Sequence, residues 1–272
     1  TTLRSDIVDV YPEPNFAYVG PTDVISVTFN QPMDHASTED AFSLTLSSRT
    51  GSIPGTFTWT GGATSWATET LRFTPDEPLP RDARGKITVR ATAEAATGTS
   101  SLIKAFTRYF STVAEPAFLR ASPADLSNVS PYDAVSLWFA SPMDCDRLPD
   151  YLQITPTITE VTTSCQNHDT RMDVHFDKEP RTTYRLSLDA QTPDKYGAPL
   201  GEPVDVTFTV GDFPPQAYLR TLGEVSFYTP YTDTVVYAQV RNVSRLDLRL
   251  YALTPEAFTR LTGYGMSVED LG

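Results

Sequence analysis

The sequence predicts an all-β chain: two tandem antiparallel β-sandwiches, then a partial third β domain with a short helix. Three observations carry this. A block of residues recurs 110 positions further on. Short apolar-alternating segments separated by proline and glycine turns fill both units around it. The pattern then changes after Phe213-Pro214-Pro215, a stiff linker signal.

The repeated block is Asp23-Val24-Ile25-Ser26-Val27-Thr28-Phe29-Asn30-Gln31-Pro32-Met33-Asp34. It returns as Asp133-Ala134-Val135-Ser136-Leu137-Trp138-Phe139-Ala140-Ser141-Pro142-Met143-Asp144. Ile25, Val27 and Phe29 share one face of an extended chain, and Val135, Leu137 and Phe139 repeat that face. A period of two with one apolar side is a half-buried strand. Pro32 and Pro142 end the ladder because proline has no N–H to donate. Met33 and Met143 are expected to plug the core ends, since a flexible thioether fills irregular gaps. Phe29, Pro32, Met33 and Asp34, with Phe139, Pro142, Met143 and Asp144, are therefore structural motif residues rather than ligands.

Later segments correspond at a shorter offset. Leu71-Arg72-Phe73 is paired with Val174-His175-Phe176, Lys86–Val89 with Tyr184–Leu188, and Phe110-Ser111-Thr112 with Phe208-Thr209-Val210. Units of ~100 residues built this way read as antiparallel sandwiches. The expected domains are 1–114, 115–212 and 213–272. In the last, Thr234–Val243 and Leu246–Leu253 read as two strands. Thr254 caps a short helix with Pro255 at its first position and Gly263 after its end. Two strands and a helix cannot bury a core alone, so this is a partial domain, and the chain reads as a fragment of something longer.

A net charge of −13 repels phosphate backbones, which argues against nucleic acid as a partner. No apolar run approaches the ~20 residues of a membrane span, so no membrane contact is expected. Cys145 and Cys165, the two cysteines, suit a disulfide and an oxidising compartment; two free thiols are the alternative. Candidate chemistry is sparse. His35 reads as an exposed turn residue. Arg171, Asp173 and His175 read as a solvated strand face, with His168 nearby as a further metal ligand in the competing reading. Asp144, Asp146 and Asp150 lack the glycine of a calcium loop. Trp59, Trp66 and Trp138 could form a carbohydrate platform but read better as edge or interdomain packing. Asn128 and Asn242 head two sequons that matter only in a glycosylating host. Neither a catalytic cluster nor a cofactor is expected, and the chain is read as no enzyme.

The Ile25–Phe29 strand, Gln31-Pro32-Met33-Asp34, Leu71–Pro75 followed by Pro78-Leu79-Pro80, and the closing Phe110-Ser111-Thr112 resemble bacterial immunoglobulin-like domains. Such domains occur in S-layer proteins, large adhesins and bacterial macroglobulins. The resemblance spans residues 6–113 and, more loosely, 116–211, where Phe176-Asp177-Lys178 replaces Phe-Thr-Pro. The run Val236–Phe258 resembles a macroglobulin domain of bacterial α2-macroglobulin-like proteins. Together these imply a non-catalytic scaffold fragment of such a broad-spectrum endopeptidase inhibitor at the cell envelope or outside the cell. Its partners would be other domains of the parent chain and, through the parent, proteases. The alternatives are an S-layer or adhesin stalk spacer, or a glycan- or calcium-binding Ig-like module. The family's thioester motif, Cys-x-Glu-Gln, is matched at neither Cys145 nor Cys165.

Overall fold

The computed structural model describes residues 4–64, 67–96, 100–123, 129–220, 228–229 and 231–264, with backbone only over 261–264. Trp66 and Asn128 lie outside the described residues. The chain divides into two compact units, Thr1–Asp212 and Phe213–Gly272.

The first unit holds two sandwiches. In the first, β1 (Ile7–Tyr11), β2 (Ile25–Phe29), α1 (His35–Ala41), β3 (Phe42–Leu46), β4 (Gly55–Gly61), β5 (Glu69–Pro75), β6 (Arg84–Val89) and β7 (Phe106–Ser111) follow in order. They form antiparallel sheets ordered β1-β2-β5-β4 and β3-β6-β7. The second sandwich repeats the plan with β8 (Phe118–Ser122), β9 (Val135–Phe139), α2 (Leu148–Tyr151), β10 (Leu152–Thr155), β11 (Thr162–Gln166), β12 (Arg171–His175), β13 (Thr183–Leu188) and β14 (Val204–Thr209). Its sheets are β11-β12-β9-β8 and β10-β13-β14.

Alternation decides what each strand buries. Ile25, Val27 and Phe29 are sealed inside with Leu44, Leu71 and Ile87, and Val135, Leu137 and Phe139 with Met172, Val174 and Leu186. Each fully buried side chain of this size stabilises the fold by about 1.5–3 kcal/mol. Met33 and Met143 are both buried. Asp34 caps α1 by accepting from the Ser37 N–H at 2.8 Å, and Asp144 accepts from the Arg147 N–H at 3.3 Å.

The ladders correct one expected correspondence. Val27 pairs with Leu71, and its repeat partner Leu137 pairs with Met172. Leu71 therefore matches Met172, and Phe73 matches Val174. The loop before β12 is two residues shorter than similarity alone implied, because apolar alternation looks the same after a slip of two.

This register aligns two unlike clamps. His35 and Cys145 each lie two residues after the motif methionine, while Trp59 and Cys165 lie opposite Leu71 and Met172. In the first sandwich the His35 ring stacks on Trp59, centroids 4.1 Å apart and planes 5° from parallel. Its Nε2 is 3.1 Å from the buried Glu69 carboxylate, which also accepts from the Met33 N–H. His35 is exposed, as expected, but it opens α1 and straps that helix to the sheet edge. In the second sandwich a Cys145–Cys165 disulfide joins the same two places.

The strand face of Arg171, Asp173 and His175 is solvated only in part: His175 is exposed, Arg171 half-buried and Asp173 buried. Asp173 is buried, accepting from Arg171 Nε at 2.8 Å and from the Ser136 hydroxyl. Trp138 is half-buried, with the Arg120 guanidinium 3.5 Å and that of Arg171 5.2 Å from its ring centre. Cation–π contact across neighbouring strands covers this face.

The second unit contains β15 (Gln216–Arg220) paired antiparallel with β16 (Tyr237–Arg241), and α3 (Pro255–Tyr264). The sequence pattern missed β15 and drew β16 too long. Leu246–Leu253 forms no strand: Leu248 and Leu250 are exposed, and alternation without a pairing edge makes no ladder. Thr254 Oγ1 accepts from the Ala257 N–H at 3.2 Å, and Gly263 lies inside the helix rather than after it.

Reducing the Cys145–Cys165 bond, which closes a span of 20 residues, should cost about 3 kcal/mol. Urea unfolding of the second sandwich with and without reductant measures it.

Candidate functional site

The richest polar cluster joins the two sandwiches of the first unit. It starts at Pro78-Leu79-Pro80, where buried Leu79 donates its N–H to the Pro21 carbonyl at 2.8 Å. This anchored turn presents Arg81. The Arg81 Nη2 lies 2.8 Å from Asp194 Oδ2, across the joint, and the Asp194 side chain is 0% exposed. Arg81 Nη1 also donates to the Ala114 carbonyl in the connecting segment at 2.8 Å. One guanidinium thus holds the first sandwich, the linker and the second sandwich.

Asp194 is fully engaged. Its Oδ2 accepts from Ser141 Oγ at 2.8 Å, and its Oδ1 from the N–H groups of Tyr196 and Ala198 at 3.0 and 2.9 Å. With Arg81 these make four donors, about as many as a carboxylate can accept. The carboxylate has no capacity left for a ligand. Its role is to pair the half-buried Arg81 guanidinium and to fold its own loop, which aims Tyr196 at the first sandwich.

Tyr196 completes the joint. Its hydroxyl donates to the Tyr18 carbonyl at 3.1 Å. Its ring occupies the space where a side chain at residue 20 would stand: a Cβ on Gly20 would come within 2.2 Å of it. His168, from the second sandwich, packs edge-on to Phe16 with centroids 5.6 Å apart and lies 5.4 Å from Tyr18. A cleft of about 300 Å³ remains between Tyr11, Tyr18, Asp23, His168 and Tyr196. In it Tyr11 donates to Asp23 at 2.8 Å.

Burial, then the charges of Asp23 and Asp194, push the Tyr196 hydroxyl up to about 12. Tyr11 is raised as well, first by burial and then by its bond to Asp23. Both phenols are held neutral, so neither is poised to trade protons near neutrality. His168, Asp173 and His175 do not converge: the first serves the joint, the second bonds Arg171 and Ser136, and the third is exposed. Asp169 lies near Cys145 and Cys165, but the disulfide uses both sulfurs.

Of the motif residues, Pro142 borders the cleft beside Ser141, while Phe29, Met33, Phe139 and Met143 belong to the cores. Sequence reasoning missed Arg81, Asp194, Tyr196 and Gly20. One signal was available. Met33 bridges to Ala95 and Met143 to Asp194, so the second copy carries an acid where the first has alanine.

The fold and this joint define a tandem Ig-like structural module. Residues 2–112 match the family model described as bacterial Ig-like domain. The chain is similar to a bacterial S-layer protein, SbsC, at 14% identity and a TM-score of 0.30, covering 88% of this chain and 32% of that one. It is also similar to alpha-2-macroglobulin from Escherichia coli, at 11% identity and a TM-score of 0.32, covering 80% and 75%. The I-band fragment of titin matches at 9% identity and a TM-score of 0.25, covering 88% of each. Likeness at these identities concerns the sandwich fold alone. The chain spans about a third of that S-layer structure. No curated protein matches the sequence.

Arg81→Ala leaves the Asp194 carboxylate buried without its cation and should cost about 3–5 kcal/mol. The double variant Arg81→Met, Asp194→Asn should recover part of this in urea melts. The phenol shift sets an alkaline limit. Tyr196 ionises near 10 when unfolded and near 12 when folded, so its contribution is complete below pH 10 and is lost as pH rises through 12. Stability between pH 10 and 12 should fall less steeply in Tyr196→Phe, measured by denaturant melts across that range.

Proposed function

We propose that this chain is a non-catalytic scaffold segment of a bacterial envelope or extracellular protein, in which the two sandwiches act as one stiff spacer. The observation that carries this is the buried Arg81–Asp194 pair, which binds sandwich, linker and sandwich at one point. A hinge needs groups that can part and meet water cheaply. Separating these two would expose or strand a charge that is buried and fully hydrogen-bonded.

The parent is read as a macroglobulin-type endopeptidase trap. This rests on the sequence run Val236–Phe258, which resembles a macroglobulin domain, directly after two Ig-like units. Within such a parent the segment would position the inhibitory machinery, its partners being the neighbouring domains and, through the parent, proteases. The second reading is an S-layer or adhesin stalk, favoured by the duplicated Phe-x-x-Pro-Met-Asp unit. Both place the chain in an oxidising compartment, consistent with the disulfide.

Stiffness is measured by electron–electron dipolar spectroscopy with labels at Ser48→Cys and Thr159→Cys, both exposed, the native disulfide intact. A single narrow distance distribution is expected, broadening in Arg81→Ala; a broad distribution in the parent sequence defeats the spacer reading. Incubating the full-length parent with a general endopeptidase separates the two parents. A caged or covalently held protease supports the trap, and free, active protease supports the stalk.

A further inference from the structure

Three acidic or basic side chains line the cleft at the joint: Asp23, Asp169 and Lys195. Two of them cancel, since Lys195 Nζ lies 2.9 Å from Asp169 Oδ2. Asp194, deeper in the joint, has Arg81. Asp23 is different. Its Oδ2 accepts from the Tyr11 hydroxyl and from the Gly20 N–H, both at 2.8 Å. Its Oδ1 accepts no hydrogen bond, and its carboxylate meets no cation, among the described residues. The cleft therefore contains one carboxylate with no cation beside it.

The neighbouring phenols feel that charge. Burial first, and Asp23 after it, raise the hydroxyls of both Tyr11 and Tyr196 above the ordinary tyrosine range. A field that makes a phenol harder to ionise also favours an ammonium ion. The remaining wall is mostly aromatic: Tyr11, Phe16, Tyr18, His168 and Tyr196. The tyrosines and Phe16 are each half-buried, so part of each side chain stays uncovered. The faces of such rings are negative, and they attract a cation within about 6 Å of the ring centre. The space of about 300 Å³ equals the liquid volume of about ten waters, enough for a small amine. An anion would be repelled by Asp23, and a neutral guest would strip water from the carboxylate without pairing it.

We propose that this cleft binds an alkylammonium group, its charged head on Asp23 Oδ1 and its carbon chain against the tyrosine and phenylalanine rings. The head would come from a free amine or from a lysine side chain of a partner protein. Tyr196 belongs to the second sandwich, and Tyr11, Phe16, Tyr18 and Asp23 to the first. A guest held by both adds a further tie across the joint.

The test is an NMR titration of the whole chain with butylammonium chloride, with 1-butanol as its neutral twin. Saturable shifts at the residues lining the cleft are expected below about 10 mM amine, and none with butanol. Asp23→Asn keeps an oxygen to accept from Tyr11 and Gly20 but removes the charge, and should weaken binding about tenfold. The butanol comparison leaves the protein untouched, so the outcome does not hang on how that variant folds. No saturation by butylammonium, equal shifts with butanol or methyl glucoside, or unchanged binding in a folded Asp23→Asn would overturn the proposal. Acetyl-lysine amide separates the two sources of the head. Binding tighter than butylammonium assigns the cleft to a partner's lysine, and equal or weaker binding assigns it to a free amine.

Discussion

A single buried guanidinium–carboxylate pair governs how the first unit behaves. Arg81 and Asp194 come from different sandwiches, and Asp194 is completely withdrawn from water. Such a pair is not necessarily a large net source of stability, because both ions lose hydration. Its force lies in the penalty for separation. Once Ser141, Tyr196 and Ala198 have also committed donors to the same carboxylate, the joint has one geometry in which all groups are satisfied. Gly20 then makes room for Tyr196, and the Tyr18 carbonyl receives its hydroxyl. The polar network sets the register between the sandwiches, and the aromatic contacts fill the space around it.

The repeat shows how one architecture tolerates different chemistry at matching positions. The turn after the motif methionine must be tied to the sheet edge in both copies. One copy uses a stacked His35–Trp59 pair with a buried Glu69, and the other uses a covalent Cys145–Cys165 bond. In the second copy the Met143 N–H goes to the Asp169 carbonyl, where in the first the Met33 N–H needs the Glu69 side chain. The same freedom extends to the edge strands. Exchanging Phe42, Phe57 and Phe73 for Leu152, Thr163 and Val174 leaves the sandwich intact because the central strands still bury Val135, Leu137 and Phe139.

The second unit behaves differently. Its strands β15 and β16 pair with each other, and most of the large apolar residues among its described residues are exposed. Leu246–Leu253 has the alternation of a strand and none of the pairing. Alternation reports which face a residue would bury, and pairing requires a neighbour with a free edge. That distinction explains why the same reading succeeded for residues 25–29 and 135–139 and failed for residues 246–253.

The sequence by itself determined the all-β class, the duplication and the inward faces of the central strands. These follow from local periodicity, which the chain order contains directly. Only the tertiary structure decided that Arg81 meets Asp194 across 112 intervening positions, and that His35 matches Cys145 and Trp59 matches Cys165. Each depends on register and on loops of unequal length. A slip of two residues in a strand preserves every apolar pattern while changing every neighbour.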